Sequence, residues 1–329
     1  MDFVVRFINN LLIELSEATM QWPFLLGAFS MALCFVYVYK DKSLIDSIRC
    51  IFNRKVWLHK SALVDYKIGL INSCIYAAII PTSIFSSIEI ATLVTESLAS
   101  TFGGKTLEEQ TDAALWATLL FSLVVILIVD FISYFVHFLY HKVPFLWEFH
   151  KVHHSARVLT PFSSFRTHPV SNWVGLVINA VLIGVVFGLL KYFVTFPVSE
   201  LSLFGLNVFS FFINLFGGLL THSHIRIQWP GNLSKIIISP LNHQIHHSNN
   251  PIHFDKNFGF WFSIWDVMFG TYYKGTDQDK FTFGIGKETK DFYSLKTVYG
   301  RPVKNALAII HRFFRSGKAY QLLARRRFK

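Results

Sequence analysis

Residues 115–154 read LWATLLFSLVVILIVDFISYFVHFLYHKVPFLWEFHKVHH. From Leu115 the run is free of charge until Asp130. A helix needs about 20 apolar residues to cross roughly 30 Å of hydrocarbon, and Leu115–His137 supplies them. The run then closes on His137-x-x-x-His141, meets Pro144, and continues into His150-x-x-His153-His154. Residues three and four apart share a helix face, so His137 and His141 point one way, and His150, His153 and His154 share a face of their own. Steps of four, three and four carry the first face back to Asp130 and Tyr134, all within about 60°. An acid inside an apolar segment is a functional candidate by default. Pro144 breaks the chain, so two helices can converge rather than run on.

Working outward, four more stretches have spanning character. They are Trp22–Tyr39, Ile68–Ile88 with Pro81 inside it, Trp173–Leu190 and Leu201–Leu220. The last two read as a hairpin turning near Phe196 and Pro197. Met1–Leu15 reads as a short amphipathic helix on the membrane, and the first span lacks the small-residue cleavage pattern of a signal peptide. Composition agrees: 52% of the 329 residues are hydrophobic, and mean hydropathy is +0.41. Only 16% are charged, against about 25% in ordinary globular proteins. These values exclude a disordered chain and a conventional cytosolic enzyme. Cys34, Cys50 and Cys74 have no Cys-x-x-Cys spacing, which excludes a disulfide scaffold or a cysteine metal site.

The expected fold is therefore all-α: an integral membrane bundle of four to five spanning helices, with a cytosolic helical cap carrying the histidine boxes. The expected division is 1–114, membrane helices and a loop; 115–275, the catalytic part; and 276–329, a basic cytosolic tail. Lys40, Lys42, Arg49, Arg54, Lys55 and Lys60 follow the first span, and cytoplasmic loops carry the excess of Lys and Arg. The loop near Lys105 holds Glu108, Glu109 and Asp112 and reads as outside. Five crossings then put residues 138–172, and everything after Leu220, in the cytoplasm. Net charge is +11, and 14 of the 31 Lys and Arg follow Tyr273. With no nucleic-acid motif in the chain, that balance fits an anionic membrane face rather than nucleic acid.

Twelve of the 14 histidines lie between His137 and His253. Two further clusters join the first two: Thr221-His222-Ser223-His224, and His243-x-x-His246-His247. On one helix His222 and His224 would diverge by about 200°, so either a helix ends there or only one of them binds metal. Imidazole suits iron, zinc, copper and nickel. Eight histidines in these spacings exceed what one ion can use, so two ions are the natural solution. Histidine-only ligation leaves charge uncompensated, and nearby carboxylates are expected to support the rings. Asp130, Glu148, Asp255 and Asp266 are the candidates. His59, His253 and His311 stand apart and read as packing residues.

At this point the chain resembles the fatty acid hydroxylase and sterol desaturase superfamily. The resemblance rests on the three boxes, on Trp147–Ser155, on Arg166-Thr167-His168-Pro169, on Asn242–Ser248, on His253–Gly259 and on Ile264–Thr271. It covers about residues 115–275. It implies a non-heme diiron centre, O2, two electrons from a separate donor protein, and a lipid substrate. Carried over, the ligands are His137, His141, His150, His153, His154, His222, His243, His246 and His247. Relatives often have His-Ser-Asn where His222-Ser223-His224 stands, so His224 is either a tenth ligand or a donor beside one. His168, Asp130, Tyr134, Asp255 and Asp266 are expected around the ligands. Relatives often carry an acid after the Arg-x-His-Pro proline, where this chain has Ser171 and Asn172.

The leading function is a membrane-bound diiron oxidoreductase that hydroxylates a fatty-acyl or sterol-type lipid. A lipid or sterol desaturase and a pterin-dependent ether-lipid monooxygenase are rivals within that chemistry. A histidine-rich metal transporter and a zinc hydrolase are rivals outside it, and zinc can also occupy such a site on purification. A transporter should place polar groups at the bilayer midplane, whereas these histidines gather at helix ends. Arg325, Arg326 and Arg327 could meet an acidic partner or a lipid surface. The last residues carry no Lys-Asp-Glu-Leu signal, which favours a bacterial inner membrane over the endoplasmic reticulum.

Overall fold

The structure is a computed structural model, and it describes residues 22–79, 86–104, 114–193, 201–203 and 206–316. Helices dominate it. Helix α1 (Trp22–Cys34) runs into a π turn, Phe35–Tyr39. Helices α2 (Leu44–Ile51) and α3 (Arg54–Trp57) are short, capped by the side chains of Ser43 and Asn53. Then come α4 (Lys60–Ile79), α5 (Ser87–Phe102), α6 (Leu115–Lys142), α7 (Pro144–His154) and α8 (Pro169–Phe193). A two-residue antiparallel pair, β1 (Ser202–Leu203) and β2 (Leu206–Asn207), precedes α9 (Val208–Leu215). Helices α10 (Pro240–His246), α11 (Ile264–Met268) and α12 (Leu295–Ser316) follow, linked by loops and 3-10 turns.

Among the described residues, three helical stretches are long and apolar enough to cross a membrane: Trp22–Tyr39, Leu115–Lys142 and Pro169–Phe193. This corrects the expected five in two places. Ile68–Ile88 is not one helix. A capping box at Ser86 and Glu89 starts α5 afresh, each residue's side chain accepting from the other's backbone N–H. Leu201–Leu220 is not one helix either. Asn207 caps α9 by accepting from Phe209 and donates to the Ser122 carbonyl on α6. Gly217, at φ 141°, breaks the chain after only eight helical residues. Met1–Leu15, the loop at Lys105, the turn at Phe196 and the arginines at 325–327 lie outside the described residues.

Two of these helices are built to approach closely. On α8, a Cβ at Gly184 would lie 2.6 Å from the Ile90 Cβ, and one at Gly188 would lie 2.6 Å from the Val94 Cβ, both on α5. Small residues four apart allow such contact. Helix α6, at 28 residues, is about 42 Å long, so its last turns can stand clear of roughly 30 Å of hydrocarbon. Val143, in extended conformation, caps both α6 and α7, and Pro144 opens α7 at N1. The break therefore takes one residue.

The part expected as a basic tail packs back onto this frame as far as it is described. Phe292 and Val298 join Val64, Ile68 and Val152 in one apolar cluster, which binds α12 to α4 and α7. Arg166, fully buried, ties the same elements together. It donates to the Val152 and Phe292 carbonyls and forms a 2.6 Å ion pair with Asp65 of α4.

Candidate metal centre

Nine histidines meet in two sets. His137, His141, His150, His154 and His246 form one, and His153, His222, His243 and His247 the other; within each set the nitrogens lie within 4.8 Å of one another. Neither set contains a carboxylate or a cysteine. The consecutive pairs explain the boxes. Neighbours on a helix diverge by about 100°, so His153 and His154 leave α7 toward different sets, and His246 and His247 do the same at the end of α10. In the α7 box, positions one and five serve the first set and position four the second. In the α10 box the roles are exchanged.

The five-ring set is held from behind by a loop. The Lys256 carbonyl lies 2.8 Å from His246 Nδ1, and the Phe258 carbonyl 2.9 Å from His137 Nδ1. Each ring nitrogen can only donate to a carbonyl, so each Nε2 carries a lone pair that faces inward. Both Nε2 atoms are buried and have no hydrogen-bond partner, a costly state for a polar atom unless a cation sits beside it. Tyr140 stacks on His150, and Trp147 packs against His141 and His154.

The carboxylates expected beside the rings build that loop instead. Asp130 accepts from the Trp261 and Phe262 backbone and from the Trp265 indole. Asp266 accepts from the Phe258 and Gly259 backbone, each at 2.8 Å, and from the Thr271 hydroxyl, which also meets Tyr134. Gly259 is required here, since a Cβ would come within 2.3 Å of the Phe262 carbonyl. Asn257, in the left-handed region at φ 56°, donates to the carbonyls of Asn242 and Tyr273, which fastens the loop to α10. Asp255 pairs with Lys142 at 2.7 Å. Glu148 turns away to Lys151 and Asn305.

The four-ring set is built differently. Its Nε2 atoms form a chain, His153 to His222 to His243 to His247, with steps of 3.1, 3.1 and 3.2 Å. A neutral imidazole nitrogen either donates or accepts, and one N–H points one way. At most two of the three steps can therefore be hydrogen bonds, and at least one holds two nitrogens close with no proton between them. Nitrogens about 2.1 Å from a shared ion would stand about 3.0 Å apart at right angles and about 3.4 Å apart in a tetrahedron. The observed steps fall in that range. Burial holds His222 down to about 3, and together with neighbouring rings it holds His150, His153, His154, His243, His246 and His247 well below the usual histidine range. These rings are neutral at pH 7, as metal ligation needs.

Two expected residues stand elsewhere. His224 does not join the centre: Ser223 is extended, and His224 Nε2 meets the Cys50 carbonyl at 2.8 Å. His168 is also turned away. Its Nδ1 accepts from Val170, and its Nε2 meets the Tyr299 carbonyl at 3.1 Å. Of the three histidines set apart, His59 caps Ser61, His253 is buried against Ser248, and His311 is exposed. Sequence reasoning missed Asp65, Asn257 and Tyr299, and also the two carbonyls, which no side-chain motif can reveal.

Known proteins bear on this arrangement. Residues 122–271 match the family model described as Fatty acid hydroxylase. An alkylglycerol monooxygenase of Danio rerio is 28% identical over 52% of this chain and 34% of its own length. An ornithine lipid hydroxylase of Rhizobium tropici is 27% identical over 51% of the chain and 46% of its own. A lathosterol oxidase of Mus musculus is 26% identical over 48% of the chain and 46% of its own. All three are of the superfamily whose boxes this chain resembles. The chain thus spans less than half the length of these relatives. No solved structure matches it. Members of the family hydroxylate or desaturate lipids, and the transporter reading finds no support.

Proposed function

We propose, from that match and the geometry of the centre, that the two histidine sets hold a pair of iron ions, and that the chain uses them with O2 to hydroxylate a membrane lipid. The observation that carries this reading is the division of each His-x-x-His-His box between two adjoining all-nitrogen sets. When bound, two irons would supply the redox chemistry that activates O2 toward an unactivated C–H bond.

The residues themselves hold, orient and shield. Carbonyls at Lys256 and Phe258 fix the tautomers of His246 and His137, so that Nε2 faces the set. Burial keeps the rings of α7 and α10 unprotonated. Phe258, fully buried, lies edge-on to His137, His141 and His246 and excludes water on that side. The spanning helices α6 and α8 deliver a substrate with a long hydrocarbon part. In this reading residues 115–275 form the catalytic unit, the basic residues after Tyr273 support a cytoplasmic side for the centre, and a separate protein donates electrons. A hydrolase is the weaker reading, because neither set offers a carboxylate as ligand or general base.

Lipid extracts from cells with and without the gene, compared by mass, test the reading. Gain of one oxygen in a lipid supports it, and loss of two hydrogens moves it to desaturation. An unchanged lipid profile from a chain holding two irons overturns it. One zinc per chain with no oxygen uptake points to the hydrolase.

A further inference from the structure

We propose that α12 lies in the membrane surface, with an apolar stripe among the lipid tails and a basic flank on anionic headgroups. The helix has two exposed faces and one packed face. Val298, Pro302 and Ala306 are buried against the domain. Val303, Leu307, Ile310 and Phe314 follow steps of four, three and four and fall within about 60° of arc. This stripe is exposed, 61% at Leu307 and 80% at Phe314. Lys304, His311 and Arg315, also exposed, flank it.

Depth is set by two anchors. The Tyr299 carbonyl meets His168, the residue before spanning α8 begins, and the Tyr299 hydroxyl donates to Asn72 of α4. Asn305 donates to Glu148, six residues past the end of spanning α6. A helix pinned beside the same ends of two spans lies where they leave the bilayer. Charge selects the occupant. From Leu295 to Lys329 the chain has ten Lys and Arg and no Asp or Glu. A second copy would set like charges against each other, whereas anionic lipid complements them. An apolar stripe beside a basic flank is the pattern of a helix lying in the interface plane.

The full chain, with Cys34, Cys50 and Cys74 replaced by Ser, is spin-labelled singly at Leu307→Cys, Phe314→Cys, Lys304→Cys and Arg315→Cys. Each is placed in nanodiscs of phosphatidylcholine with phosphatidylglycerol. Labels at 307 and 314 should collide several-fold more with O2 than with a water-soluble nickel chelate, and labels at 304 and 315 should show the reverse. The contrast should shrink in phosphatidylcholine alone. Equal chelate access at all four positions overturns the proposal. So does protection at 307 and 314 that persists in detergent and rises with protein concentration, which would mean a contact between chains. Hydrogen exchange of the unlabelled chain over 303–315 in the same two discs repeats the test without substitution: slower exchange in the anionic discs supports lipid contact, and equal exchange overturns it.

Discussion

The two halves of the histidine centre are made by different means. Behind the five-ring set stands a loop whose carbonyls hold His137 and His246 and whose shape depends on Asp130, Asp266 and Asn257. In the four-ring set, His222 Nδ1 meets the neighbouring Thr221 hydroxyl at 3.4 Å, and the rings are placed by the end of α7, the 3-10 turn at Gly218–His222 and the end of α10. One half is thus positioned by hydrogen bonds at a distance, the other by helix ends that meet. Damage should spread differently in each.

The largest effect is expected from His243→Ala. It removes one of only four rings, so metal content should fall from two ions per chain to one and turnover should drop at least about a hundredfold. Retention of both ions would erase the distinction between the halves. Asp266→Asn should act on the other half. With the loop loosened, metal affinity of the five-ring set should fall about ten- to a hundredfold, seen as one ion lost early in a chelator titration. Simultaneous loss of both ions would show that the halves load as a unit.

Acid should probe both halves together. A histidine whose folded pKa lies below its unfolded value, near 6.5, gives stability that is full above about pH 6.5 and is lost as pH falls. Each such ring costs the metal-free protein about 1.4 kcal/mol per pH unit below that point. Seven rings on the α7, α10 and Gly218–His222 segments are so placed. Unfolding of the metal-free chain should therefore turn steeply pH-dependent below about pH 6.5, and added metal should restore stability. A flat profile would mean that water reaches the rings. The smallest effect is expected from His224→Phe, which removes one hydrogen bond to Cys50. It should cost about 1 kcal/mol and leave metal content unchanged; loss of metal would return His224 to the four-ring set.

The boxes themselves were legible in the sequence as clusters, but their division was not: His153 was expected on one face with His150 and His154, and it turns to the other set. Three of the apolar spans were legible too. Two others were misread because hydropathy ignores punctuation: it does not register that Ser86 with Glu89 restarts a helix, or that Asn207 and Gly217 confine one to eight residues. The support of the rings was legible only as a need. A carboxylate was expected, but a carbonyl answers, and every residue type carries one. The buried partner of Arg166 is Asp65, about a hundred residues earlier. Local sequence holds no signal for a pairing that only the packing of α4 against the 3-10 turn Pro161–Phe165 creates.

The split of His153 from His154, and of His246 from His247, has one more consequence. Each pair is joined by a single peptide unit, whose Cα atoms stand about 3.8 Å apart and cannot stretch. Two such bridges span the gap between the sets. The chain thus gauges the separation of the two sites with its own covalent bonds, and a one-residue insertion at either bridge would put the two sides out of step.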